Sequence, residues 1–184
     1  AEYDLCHSIV HVEALKTAGI LTKVEAGNLT KGLVVILKDV RSGDFKPDLQ
    51  AEDIHTDIQN KMEKKAGKLA LKLHTLRSRN DQVVFDEKSY CAVEALKAAG
   101  LLEKVSASLK SLSDQYKNYS IPGYTHTQKA QVVSFKSYLG AFAYMFARDR
   151  ERLIQFEKKL IVYIGSGALK GTFLTKNYNK ALDE

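Results

Sequence analysis

The sequence predicts an all-α fold, and three observations lead there. Apolar residues recur at three- and four-residue spacing along most of the chain, the period of a helix with one buried face. Only two prolines interrupt its 184 residues, so long helices are permitted. Runs alternating apolar with polar residues, the mark of a half-buried strand, have little support.

A first helix is expected over residues 4–18, closed by Gly19. Thr22 and Glu25 then have the spacing of a capping box, which opens a second helix reaching about residue 38. Residues 41–50 contain Gly43 and Pro47 and read as a loop, followed by a third helix over residues 52–65. A long helix is expected over residues 81–119, with Val93, Leu96, Val105, Leu109, Leu112, Tyr116 and Tyr119 as its apolar stripe. Ile121-Pro122-Gly123 breaks it. A second long helix is expected over residues 131–160, with Phe135, Tyr138, Phe142, Met145, Leu153, Phe156 and Leu160 facing its neighbour. Beyond Gly165 the chain turns glycine-rich, and Thr175 is placed to cap a short helix. Residues 12–19 nearly repeat as residues 93–100, but the second copy lacks the capping pair. Gly100 is therefore read as a weak point inside one continuous helix.

A hydrophobic fraction of 45% with 27% charged residues fits an ordinary globular chain. No apolar run is long enough to span a bilayer and no leader pattern is present, so the expectation is a cytoplasmic protein without membrane contact. Cys6 and Cys91 lack C-x-x-C spacing and are expected to be small buried hydrophobes without a disulfide. The net charge of +6 and the row Lys61, Lys64, Lys65, Lys68 and Lys72 raise the question of nucleic acid. The row holds no aromatic residue on which bases could stack, and Gly67 interrupts it. A solvated lysine face is the better reading, and nucleic acid is not expected.

Chemistry concentrates in two stretches. Residues 73–82, Leu-His-Thr-Leu-Arg-Ser-Arg-Asn-Asp-Gln, carry two guanidinium forks at Arg77 and Arg79, the geometry suited to carboxylates. Residues 122–131, Pro-Gly-Tyr-Thr-His-Thr-Gln-Lys-Ala-Gln, add His126, which titrates near neutral pH, and the hydroxyl of Thr125. His55 stands near a helix start, balanced between a structural role and the edge of a site. His74 either orients the arginines or fixes their turn. His7 and His11 share a helix face, but no third ligand is identifiable from the sequence, so they are read as surface or core residues and no metal is expected.

Both stretches resemble the argininosuccinate lyase branch of the fumarase and aspartase superfamily, where H-T-x-R-S-R-N-D-Q and G-Y-T-H-x-Q-x-A-Q occur in this order. Further matches follow the same order: Asp4 to Ser8 with D-x-x-x-S, residues 52–56 with E-D-I-H-T, residues 148–153 with R-D-x-E-R-L, and residues 165–169 with G-S-G-A-L. The resemblance implies a helical N-terminal domain over residues 1–76 and the first long helices of a fumarase/aspartase-type bundle over residues 77–184. It implies His126 and Thr125 as catalytic residues. Ser8, His55, Arg79, Asn80 and Thr125 would contact substrate, while Ser78, Asp81 and Gln128 shape the loops. No cofactor is implied.

The reaction implied is reversible β-elimination of argininosuccinate to arginine and fumarate. Family members are homotetramers whose sites draw on three subunits. The family's second proton-transfer group, a serine on a G-S-S-x-M-P-x-K-x-N loop, has no counterpart in this sequence. The expectation is that the chain corresponds to the N-terminal part of a longer lyase. Alternatives are adenylosuccinate lyase-type elimination, and a noncatalytic crystallin-like or truncated partner subunit. Departures from the motifs are Leu76 for glycine, Thr127 for leucine, Val132 for proline and Gln59 for glutamate. Leu76 matters most, because glycine there would permit φ > 0 or close approach of the backbone to substrate.

Overall fold

The computed structural model describes residues 1–160. The glycine-rich segment from Gly165 and the short helix expected at Thr175 lie outside the described residues. Helices dominate, as the periodicity implied. The described chain forms two compact units, Ala1–Ser89 and residues 90–160.

The first unit contains α1 (Glu2–Thr17), α2 (Lys23–Ser42), α3 (Ile54–Ala66), a 3₁₀ segment (Gly67–His74) and the first turns of α4 (Arg79–Gln115). Helix α1 ends before Gly19, whose φ of 76° suits a residue without Cβ. The expected capping box opens α2: the Glu25 amide donates to Thr22 Oγ1 at 3.2 Å and the Thr22 amide donates to Glu25 Oε2 at 2.9 Å. The core forms where Leu5, Val12 and Leu15 of α1 meet Leu29, Leu33 and Ile36 of α2 and Met62 of α3. Gly32 admits Met62 to this core, since a Cβ there would stand 2.8 Å from Met62 Cε. Helix α3 is capped by Asp53, whose side chain accepts from the Thr56 amide at 2.6 Å.

Helix α1 departs from a simple amphipathic pattern. Besides its leucines it buries Asp4, His7, Ser8 and His11, spaced 3, 1 and 3 apart and so on one face. A helix with both an apolar and a polar stripe buried has little one-sided periodicity. Its polar stripe is therefore hard to distinguish from a solvated one by sequence.

In the second unit α4 continues without interruption through Gly100 to Gln115, and α5 covers Phe135–Lys159. Between them lies an antiparallel hairpin, β1 (Ser120–Thr125) with β2 (Gln128–Ser134). This corrects the helix expected from residue 131. Val132 and Val133 favour extended backbone, and Ser134 caps the helix that begins one residue later. Gly123 is required here, because a Cβ would meet the Gln131 carbonyl oxygen at 2.8 Å. The two long helices lie against each other, as expected, but through small residues. Ser106 Oγ donates to the Ala143 carbonyl and Ser113 Oγ to the Lys136 carbonyl, both at 3.0 Å. The large stripe predicted to fill this contact instead leaves Val93, Leu96, Val105 and Leu112 exposed.

Candidate active site

A type II turn delivers the first arginine. Thr75 has φ −61° and ψ 131°, Leu76 has φ 62°, and the Arg77 amide donates to the His74 carbonyl at 3.1 Å. The third position of such a turn calls for glycine, and here leucine occupies it while its side chain is buried. The turn sends Arg77 inward, where Nη1 and Nη2 donate to Ser8 Oγ at 3.1 and 3.2 Å. Ser78 then stands at the threshold of α4, its carbonyl accepting from the Gln82 amide at 3.1 Å.

Arg79 opens α4 and is fixed on three sides. Its Nη1 donates to Gln82 Oε1 at 2.9 Å, its Nη2 to Thr56 Oγ1 at 3.4 Å, and its Nε lies 3.4 Å from Asp53 Oδ2. Gln82 in turn donates to Asp4 Oδ1, and His55 Nδ1 lies 3.0 Å from the same oxygen. These groups surround a cavity of about 320 Å³ lined by Asp4, Ser8, His55, Arg77, Arg79 and Gln82, with Leu71 and Leu73 on its apolar side. Burial alone would raise the Asp4 carboxyl, but the His55 and Gln82 contacts and the Arg77 charge outweigh it and hold it below the usual range. Burial lowers His74, and the nearby Arg79 and Arg77 charges lower it further. A planar anion entering this cavity would meet guanidinium nitrogens and a hydroxyl in a partly desolvated setting.

Behind the cavity, His11 is fully buried. Burial, reinforced by Arg77 and His7, brings its pKa down to about 2, so it is neutral. His7 stacks on Phe85 with ring centroids 4.0 Å apart. Among the described residues Asp4, His55 and Asp86 form a group whose ligand atoms lie within 4.8 Å of one another.

Of the residues singled out from the sequence, Ser8, His55 and Arg79 line one cavity. Asn80 and Asp81 line a separate cleft of about 120 Å³ with Phe85 and Lys88. Thr125, His126 and Gln128 belong to the second unit, exposed at the tip of the hairpin. His126 and Thr127 occupy its two-residue turn with φ 48° and 63°, a conformation that asparagine and glycine adopt more readily than threonine. Sequence reasoning assigned no role to Asp4 or Gln82. Their signals were the four-residue step from Asp4 to Ser8 and the three-residue step from Arg79 to Gln82, which set each pair on one helix face.

The family described as Lyase matches residues 1–183. The chain belongs to the lyase family. It is 39% identical over 170 residues to the argininosuccinate lyase of Desulforamulus reducens, covering 92% of this chain and 37% of that protein. It is 42% identical over 172 residues to the argininosuccinate lyase of Caldanaerobacter subterraneus subsp. tengcongensis, covering 93% of this chain and 38% of that one. The chain thus spans little more than a third of the length of these curated relatives. EDDS lyase in complex with formate has the same fold, with a TM-score of 0.82 at 21% identity over 97% of this chain and 35% of that one. So does β-carboxy-cis,cis-muconate cycloisomerase from Acinetobacter calcoaceticus sp. ADP1, with a TM-score of 0.75 at 16% identity over 99% of this chain and 45% of that one. The family resemblance read from the motifs and the helical fold are both borne out. No described helix is long and apolar enough to cross a membrane.

Proposed function

We propose that this lyase-family chain carries the carboxylate-binding part of an argininosuccinate lyase, acting in arginine biosynthesis by reversible β-elimination of argininosuccinate to arginine and fumarate. The observation that carries the reading is the Arg79 fork, held by Gln82, Thr56 and Asp53 at the edge of a cavity that also contains the Arg77–Ser8 pair. Among its relatives, the argininosuccinate lyases support this substrate over a nucleotide.

In this reading Ser8, Arg79 and Asn80 hold substrate carboxylates, His55 stands at the cavity edge, and Ser78, Asp81 and Gln128 set the loops. Residues 1–76 form the N-terminal lyase domain and residues 77–184 open the central bundle. Elimination begins with loss of a proton from the succinyl carbon beside a carboxylate. The electron pair moves onto that carboxylate as an aci-carboxylate, where fixed cations and hydrogen-bond donors stabilise it. The carbon–nitrogen bond then breaks, and the departing guanidino nitrogen takes a proton. His126, beside Thr125, is assigned to proton transfer. Since one group cannot serve efficiently as base and acid at once, a second proton-transfer group completes the site. We place the assembly in the cytoplasm as a homotetramer.

The test is fumarate release, followed by ultraviolet absorbance, in a full-length lyase carrying this segment. Arg79→Ala removes charge-assisted hydrogen bonds aimed at the substrate and should lower kcat/KM on the order of 10²-fold. Lys64→Ala removes an exposed charge from α3 and should leave kcat/KM within about 2-fold. Equal effects of the two substitutions would refute the assignment.

A further inference from the structure

Four side chains of the first unit converge where hydrogen bonds do not account for them. His55 Nδ1 is 3.0 Å from Asp4 Oδ1 and 3.7 Å from Asp86 Oδ2, while His7 Nδ1 is 3.5 Å from Asp86 Oδ1. Yet His55 Nδ1, both ring nitrogens of His7 and Asp86 Oδ1 are buried without a hydrogen-bond partner. His7 is only 4% exposed. Buried polar atoms are paired in the great majority of cases, so a cluster of four in one place calls for an explanation. The geometry supplies one. His55 Nδ1 has two carboxylate oxygens within 3.7 Å but makes a well-aligned hydrogen bond to neither.

We propose that Asp4, His55 and Asp86 form a binding site for one divalent transition-metal ion of the Zn²⁺ type, tying α1 and α3 to the start of α4. Metal bonds near 2.1 Å separate tetrahedral ligands by about 3.4 Å; His55 Nδ1 lies 3.0 Å from Asp4 Oδ1 and 3.7 Å from Asp86 Oδ2, and the ligand atoms of the three residues all lie within 4.8 Å of one another. One imidazole with two carboxylates suits Zn²⁺, Co²⁺ or Ni²⁺, whereas Ca²⁺ and Mg²⁺ favour all-oxygen sites. The surroundings also serve such a site. Gln82 donates to Asp4 Oδ1 and so orients that carboxylate. A doubly charged cation would balance the two carboxylates. Asp4 and His55 also line the cavity assigned to substrate, so the readout is spectroscopic and does not use turnover.

Co²⁺ is the probe. The 184-residue chain, freed of metal by chelator and dialysis, is titrated with Co²⁺ and followed by its visible ligand-field bands. One equivalent should bind with the intense bands of a four-coordinate site, and saturating Zn²⁺ should displace it and raise Tm by about 5 °C or more. Asp86→Asn and His55→Gln, each shown to be folded by circular dichroism, should bind at least about 10-fold more weakly. Absence of the bands, unchanged affinity in either folded variant, or a thiolate charge-transfer band placing the ion on Cys6 or Cys91 would overturn the proposal.

Discussion

Leu76 offers a comparison in which the usual ranking of two small residues should invert. It sits at the third position of the His74–Arg77 turn with φ 62°, and its side chain is 8% exposed within the core of the first unit. Truncation to Ala removes most of a buried leucine, a change of about 2–5 kcal/mol. The alanine keeps its Cβ and therefore the left-handed strain. Truncation to Gly removes the same packing but also releases that strain, about 1–2 kcal/mol. At ordinary φ a glycine is less stable than an alanine by about 0.4–1 kcal/mol, because its unfolded chain is freer. At positive φ the balance reverses, so Leu76→Gly should exceed Leu76→Ala in stability by about 1 kcal/mol even though both fall below the parent. Urea unfolding followed by far-ultraviolet circular dichroism reads the difference. With a slope of about 2 kcal/mol per molar urea, the Gly variant should unfold at a midpoint about 0.5 M above the Ala variant. An Ala variant equal to or more stable than the Gly variant would refute the turn as the reason for strain.

Two further perturbations follow from the same reasoning. Thr127→Gly should relieve the β-branched residue at φ 63° in the hairpin turn and slow amide exchange at Ile121 and Val133, which face each other across the strands; faster exchange there would contradict it. His11 titrates near 6.5 when unfolded and at about 2 when folded, so between those values the unfolded chain binds more protons and stability falls as pH falls. Its share amounts to about 2 kcal/mol between pH 7 and pH 5. Unfolding free energies measured across that window should have a shallower slope in His11→Gln, and an unchanged slope would show that His11 is not held neutral by burial.

What could be read from the sequence depended on how locally each feature is determined. The Thr22–Glu25 capping box, the stop at Gly19 and the continuity of α4 through Gly100 are set by neighbours within a few residues, and they were legible, whereas α2 runs on to Ser42 past the end expected near residue 38. The hairpin was not. Val132 and Val133 also fit a helical apolar face, and the deciding contacts join Ile121 to Val133 and the Phe135 amide to the Tyr119 carbonyl across the turn. The helix contact in the second unit was misjudged for a similar reason. Small residues such as Ser106 and Ala143 carry weak periodic signal beside Leu112 or Phe142, yet they are what allow close approach. In the site, the Arg77 and Arg79 motif was evident because guanidinium groups are conspicuous. Asp4 and Gln82 were not, since their importance arises from meeting each other over 78 residues of sequence. The concern attached to Leu76 was well placed, and its positive φ supplies the physical reason.

Carboxylate recognition by the cavity is the claim on which the functional reading rests. Fumarate titrated into the ¹⁵N-labelled chain, with amide shifts recorded for the parent and for Arg79→Ala, tests it directly. The account predicts saturable shifts centred on Ser8, His55, Arg79 and Gln82 that disappear in Arg79→Ala. Shifts confined to the Lys61–Lys65 face, no saturable shifts at the cavity, or cavity shifts unaffected by Arg79→Ala would contradict it.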